Sequence, residues 1–222
     1  MGDTQGNIDC SSNFDHDRHL LNSQWVVWYH NPSDKNWTPE SYKDILEIHS
    51  VEDMLVLKNS WEQCLPLVSE GMFFMMRKLK NGQVIYPLWE DKMNRNGGVW
   101  SFKLDKEDAQ RVWFKLCSYT IGETICASIK DSLEITGISI SPKKSFCIIK
   151  IWNQNKKNND VKLLSAELSK FLNIKEVLYS DHDNNIERDA EKRSKYERRW
   201  NDDKHDKYDK YERSFEFKGR RF

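Results

Sequence analysis

The chain has 222 residues, 38% of them hydrophobic and 32% charged, enough for one domain with a sizeable core plus polar ends. Its 35 basic and 35 acidic residues cancel, so no overall positive field marks a nonspecific nucleic-acid binder; any RNA contact must be a local patch. No apolar run approaches the ~20 residues that cross a bilayer, and the polar start Met1-Gly2-Asp3-Thr4-Gln5-Gly6 lacks a signal-peptide core.

Residues 1–18 read as a flexible polar leader. Trp25-Val26-Val27-Trp28-Tyr29, rich in aromatic and β-branched residues, predicts a strand. Ser33-Asp34-Lys35-Asn36-Trp37 then reads as a loop presenting an exposed indole. A helix is expected over about 51–63, opened by a capping-box pattern of Ser50 with Asp53 and carrying a stripe of Val51, Met54, Leu55, Leu57 and Trp61. Strands follow at Met72–Met76, Val84–Trp89 and Val99–Leu104, with Asn81-Gly82 and Asn96-Gly97-Gly98 as hairpin turns between them. A second helix runs from Asp105 through Trp113 to a stop at Gly122. Thr136–Ser141 and Phe146–Trp152 are further strands, and a third helix is expected over about 160–172. From 183 to 222 aliphatic residues nearly vanish among Lys-Tyr units such as Lys195-Tyr196-Glu197-Arg198 and Lys207-Tyr208-Asp209-Lys210. That tail reads as disordered or as a solvated helix, able at most to touch an RNA backbone weakly. The fold class expected is α+β: a curved antiparallel sheet over 19–182 with three long helices on its convex face and a functional concave face.

The five cysteines are odd in number, scattered and without a CxxC pair, which reads as reduced buried thiols in a cytosolic or nuclear protein. The six histidines form no metal-ligand spacing, so neither a structural metal nor a cofactor is expected. Core packing could use several of the nine tryptophans, but some stand beside charged or turn residues, where a core role is harder to arrange. Trp89-Glu90-Asp91, after Pro87, is the clearest case: it offers a flat π-surface with a carboxylate beside it. Guanine presents N1–H and N2–H₂ as adjacent donors that one carboxylate can accept together. Methylation at N7 makes the base cationic, so stacking on an indole gains a cation–π term of ~2 kcal/mol once desolvated. Trp37 would supply the second indole of a sandwich.

These pieces resemble, in order, the motifs of the eukaryotic translation initiation factor 4E family of messenger-RNA cap-binding proteins. Trp25-Val26-Val27-Trp28-Tyr29 is similar to its W-x-x-W-[YF] strand, Lys35-Asn36-Trp37 to its first stacking loop, and Val51-Glu52-Asp53 to the start of its first helix. Pro87-Leu88-Trp89-Glu90-Asp91 resembles P-x-W-E-D, and Asn94 to Trp100 resembles N-x-x-G-G-x-W. Trp113 with Ile121-Gly122-Glu123, and Gly137 to Trp152, complete the series, which covers about His19 to His182. The resemblance implies stacking of 7-methylguanine between Trp37 and Trp89, acceptance of its edge by Glu90, O6 at the backbone N–H of Trp89, and Trp152 near the N7 methyl. It places Lys143 where the family carries its main phosphate-binding Arg; the next basic positions fall on Ser145 and Ile148, with Lys144 and Lys150 as nearby candidates. A Lys grips phosphate as a point charge, without the guanidinium fork.

The resemblance also implies a partner surface on the helices for scaffold factor 4G or 4E-binding proteins, mapped here onto His19, Val51, Leu55, Phe114 and Gly122. Leu55 stands where the family has a Trp, so a donor and a large contact are lost. Two binding readings stay open: a cap-binding initiation factor, cytoplasmic or also nuclear, and a cap-binding repressor or specialised isoform that does not engage the standard scaffold. A third, enzymatic reading starts from Glu90-Asp91-Lys92, a Glu-x-Lys of the kind found in metal-dependent nucleases, but no acidic partner precedes it. No phosphate-cradling Gly loop, nucleophile elbow or dinucleotide fingerprint is present.

Overall fold

The computed structural model describes residues 18–192, 194, 195, 198 and 200. The leader before Arg18, Cys10 and most of the Lys-Tyr units lie outside the described residues. The chain divides into two units, residues 1–182 and 183–222; in the second, residues 183–192 are helical. No helix of the described residues is long and apolar enough to cross a membrane.

The first unit is built on seven strands: β1 (Leu20–His30), β2 (Lys43–Ser50), β3 (Met72–Lys78), β4 (Gly98–Leu104), β5 (Ile135–Pro142), β6 (Cys147–Asn153) and β7 (Leu178–Asp181). They form one curved sheet in the order β2-β1-β3-β5-β6-β4-β7, with every pairing antiparallel. Because side chains alternate across a strand, the apolar residues of each strand divide between two faces. Trp25 and Val27, Phe73 and Met75, Trp100 and Phe102, and Ile149 and Ile151 join the main core under the helices. Their neighbours Val26, Trp28, Phe74, Met76, Val99 and Trp152 form a second, smaller cluster on the opposite face. Strands that are apolar on both faces predict a covered sheet; here the second cover is a set of loops that includes Tyr42, Ile85 and Trp89.

Helix α1 (Val51–Cys64) begins as expected: Ser50 Oγ accepts from the Asp53 N–H and the Asp53 carboxylate accepts from the Ser50 N–H at 2.9 Å. It buries Met54, Leu57 and Trp61. Helix α2 (Ala109–Ile121), entered through a 3-10 turn at Lys106–Asp108, buries Val112, Trp113 and Leu116. It stops at Gly122 as expected, with that glycine as its C-cap, and the next residue, Glu123, is left-handed (φ 52°). A five-residue helix, α3 (Ile129–Leu133), precedes β5.

Three expectations are corrected. The 160–172 segment is two 3-10 turns, Val161–Leu163 and Ala166–Lys170, in place of a continuous helix. Its middle is held extended: the Ala127 N–H bonds the Leu163 carbonyl and the Ser165 N–H bonds the Ile125 carbonyl. Val84–Trp89 is not a strand beyond a single bridge from Val84 to Lys78. Side chains take its backbone groups: the Asp91 carboxylate accepts from Tyr86 N–H, and Asn94 Nδ2 donates to the Tyr86 and Leu88 carbonyls. Asn96-Gly97-Gly98 is not a hairpin turn, because β4 pairs with β6 and β7; a Cβ at Gly97 would sit 1.8 Å from the Asn153 carbonyl oxygen, so close approach demands the glycine. The edge strands β2 and β7 are additions. β2 mixes charged residues with few apolar ones, as edges do, and β7 has only four residues. Of the thiols, Cys117, Cys126 and Cys147 are buried but Cys64 is exposed.

Candidate functional site

Trp37 lies in the loop between β1 and β2, 41% exposed. One face of its indole is covered by the His30 ring, parallel to within 1° at 4.2 Å between centroids, leaving the opposite face for a ligand. Trp89 is half-buried and packs against the second cluster, the one that contains Trp28, Phe74 and Trp152. Glu90 beside it is exposed, and its carboxylate has no hydrogen bond or ion pair among the described residues. Asp91 does the opposite. Both its oxygens are engaged, by the N–H groups of Tyr86 at 3.0 Å and Met93 at 2.9 Å. In Trp89-Glu90-Asp91, therefore, the Asp shapes the turn and leaves the Glu free to face outward.

Trp152 is 3% exposed, and its indole N–H donates to Ser139 Oγ at 2.9 Å. Cross-strand register puts Val99 opposite Trp152, Ser101 opposite Lys150 and Lys103 opposite Ile148, so Lys103 and Lys150 share the face of Trp152. Lys150 is half-buried; burial, and then the positive charge of Lys143, pull its ammonium pKa down to about 8. The two lysines thus feel each other at the end of the sheet where β5 turns into β6. Neither has an anionic partner among the described residues. Lys144 is exposed in the same turn. Lys103, whose ammonium lies 5.0 Å from the Phe146 ring centroid, is a basic residue that motif spacing did not single out. Alternation from Trp152 along the strands would have found it.

The helical face is separate. Val51 and Leu55 are exposed on α1, 40% and 51%, with Val56 at 62% beside them. Phe114 is only 6% exposed and packs edge-on against Trp61, so it belongs to the core more than to the surface. His19 clamps the start of α1: its Nδ1 lies 2.7 Å from a Glu52 oxygen, and its carbonyl accepts from the Val51 N–H at 3.0 Å. That hydrogen bond from His19 is the main reason the Glu52 carboxyl falls to about 2. Gly122 is exposed at the end of α2. Besides Lys103, His30 and Tyr42 are residues around the site that sequence reasoning missed, and Asp91 and Asn94 were given no role of their own. Only Asp91 and Asn94 carried a signal, as parts of matched motifs.

The family model described as eukaryotic initiation factor 4E matches residues 20–197. The eukaryotic translation initiation factor 4E of Candida albicans is 30% identical over 187 residues, which cover 78% of this chain and 84% of that protein. That of Saccharomyces cerevisiae is 29% identical over 166 residues, 71% of this chain and 72% of the relative. Among solved structures, the complex of C. elegans eIF4E-3 with the 4E-binding protein Mextli and cap analog aligns with a TM-score of 0.61 at 21% identity, over 76% of this chain and 95% of that one. Ascaris suum eIF4E-3 with m7G cap gives 0.59 at 21% identity, over 74% and 92%. At such identities the two structures speak for the fold.

Proposed function

Because this chain belongs to the eukaryotic initiation factor 4E family, we propose that it binds the 7-methylguanosine cap of messenger RNA on the concave sheet face and thereby promotes translation initiation. The observation that carries this reading is Glu90: an outward, unpaired carboxylate beside a half-buried indole, in a turn already braced by Asp91 and Asn94. The free face of Trp37 and the indole of Trp89 take the two faces of the methylated base. Glu90 accepts its N1–H and N2–H₂, the Trp89 N–H meets O6, and Trp152 lies toward the N7 methyl. Addition of 7-methyl-GTP is expected to quench the intrinsic tryptophan fluorescence saturably; no change at millimolar ligand would contradict the slot.

Lys143 and Lys150 receive the phosphate chain, with Lys144 at the margin. Sign decides the pH dependence. Lys150 binds anions only as the ammonium, which it loses as pH rises through about 8. The ratio of affinities for 7-methyl-GTP and 7-methylguanosine cancels changes in the base, and it is expected to fall between pH 7 and 9. In Lys150→Met the ratio is expected to be about tenfold lower at pH 7 and flat with pH. An unchanged ratio in that variant would remove Lys150 from the phosphate site.

The chain acts by binding, in the cytoplasm or also in the nucleus, with no chemical step. Asp91 is committed to backbone N–H groups and is not free to hold a metal with Glu90. The helical face around Val51 and Leu55 takes a helix of the scaffold factor 4G or of a 4E-binding protein. Leu55, in place of an indole, is the observation behind a second reading, a specialised isoform without the standard scaffold. A peptide carrying Tyr-x-x-x-x-Leu-Φ separates them: the initiation reading expects binding at micromolar concentration or tighter, weakened about tenfold by Leu55→Glu, and absence of binding favours the isoform.

A further inference from the structure

We propose that His30 and Tyr42 are positioning residues for the base slot, a buried pair that ties the loop carrying Trp37 to the loop carrying Trp89 and Glu90. The inference rests on the cap-slot reading above and adds to it what holds the two walls in place. His30 ends β1 and is fully buried. Its Nε2 lies 2.8 Å from the Asn36 carbonyl oxygen, which can only accept, so Nε2 carries the hydrogen and the ring is fixed beside Trp37. Its Nδ1 is buried and has no hydrogen-bond partner among the described residues, so the ring's flat face matters there more than its second nitrogen.

Tyr42 stands one residue before β2, 6% exposed. Its ring centroid lies 5.0 Å from that of His30 and 6.4 Å from that of Trp37, and it meets Phe74 of β3 edge-on at 5.4 Å. Its hydroxyl donates to the Pro87 carbonyl at 3.1 Å, two residues before Trp89. The route from Trp37 through His30 and Tyr42 to Pro87 thus joins both loops and roots them on the sheet. Glu90 is close enough to matter electrostatically: burial first, then the negative charge of Glu90, push the Tyr42 phenol up.

A slot that takes a flat base between two indoles tolerates little error, since a displacement of about 1 Å is felt strongly in a site of fixed geometry. Loops held only at their ends would have to be ordered by the ligand, and that ordering would be subtracted from affinity. A buried strut removes this cost before the ligand arrives.

The test uses Tyr42→Phe, His30→Ala and His30→Phe in the full chain, with fluorescence titrations of 7-methyl-GTP and of GTP beside thermal melts. Tyr42→Phe keeps the ring but drops the Pro87 bond; 7-methyl-GTP affinity is expected to fall about fivefold. His30→Ala uncovers the back of Trp37 and is expected to lose about tenfold, with His30→Phe recovering part of it. In each case the 7-methyl-GTP to GTP ratio falls as well, which a general loss of stability would not produce at temperatures well below the melt. Should His30→Ala unfold, Tyr42→Phe and His30→Phe decide alone. Variants that bind and discriminate like the wild type overturn the strut while leaving the slot intact. A wild-type chain that fails to bind 7-methyl-GTP overturns the slot itself.

Discussion

Glu90→Ala is expected to abolish retention of this protein on immobilised 7-methyl-GTP, and Trp89→Ala to do the same; Glu90→Ala should melt like the wild-type chain, whereas Trp89→Ala, which removes an indole packed on the second cluster, should melt lower but still fold. Removing the carboxylate leaves two guanine donors buried against a site that can no longer accept from them. Hydrogen bonds to a charged group are worth ~1.5–3 kcal/mol each, so losing the pair lowers affinity by at least about a hundredfold. Removing the Trp89 indole deletes one stacking face, ~1–3 kcal/mol, and a cation–π term of ~2 kcal/mol, an effect of similar size. The fold survives because Glu90 is exposed and unpaired, and because the turn around it is held by Asp91 and Asn94 instead. Asp91→Ala is the informative contrast: it would also reduce binding, but by releasing the Tyr86 and Met93 N–H groups and letting the turn drift. Retention of either Glu90→Ala or Trp89→Ala at the wild-type level would contradict the assignment.

The second large effect concerns stability. Glu123→Ala is expected to destabilise the fold by about 3–5 kcal/mol, read as a lower urea midpoint with an unchanged slope. Arg77 is buried on β3, its guanidinium 4.3 Å from the Trp25 ring centroid, donating to the Ile135 and Ser132 carbonyls and to Glu123 at 3.0 Å. Glu123, left-handed at φ 52°, also accepts from Asn22 and Ser23. Without the carboxylate, a buried positive charge keeps its carbonyls but loses its counter-charge. Loss of less than about 1 kcal/mol would show the pair to be incidental. The pH dependence has a definite sign. Burial pushes the Glu123 carboxyl up, but hydrogen bonds from Ser23, Asn22 and Arg77 outweigh it, so the pKa lies below its usual 4.5. The stabilisation is present in full above that value and lost as pH falls through the lower, folded one.

Much of this architecture could be read from residues alone, for reasons that can be stated. Trp25 to Tyr29 alternates so that Trp25 and Val27 enter one core and Val26 and Trp28 the other, and both halves are apolar enough to mark a strand. Ser50 and Asp53 announced α1 because a cap is a local bond between near neighbours. What stayed hidden depended on contacts distant in sequence. The 160–172 stretch has a helical stripe, yet hydrogen bonds from Ala127 and to Ile125 win over its local preference. Val84 to Trp89 looks like a strand, but its backbone partners are the side chains of Asp91 and Asn94. At the site, Trp89 and Glu90 stand out as an indole and an acid side by side, whereas Trp152 reads as core until register sets it opposite Val99 on the concave face. Tyr42 and His30 carry no signal at all: their roles arise from a bond across 45 residues and a stack across a loop.

The two faces of the sheet divide the work. The helices bury one side and present Val51 and Leu55 outward; the loops cover the other side and leave Trp37, Glu90 and the Lys143–Lys150 pair at the surface or just beneath it. In the proposed site the ligand's charges are met one by one, a cationic base at two indoles and an anionic chain at two lysines, which would let a chain of zero net charge bind an RNA end. The most direct measurement is a parallel titration of the wild-type chain with 7-methyl-GTP and with GTP at pH 7 and fixed salt. The methyl group adds the positive charge that the indoles read, so 7-methyl-GTP should bind at least about thirtyfold more tightly. Equal affinities for the two nucleotides, or binding of neither, would contradict the account.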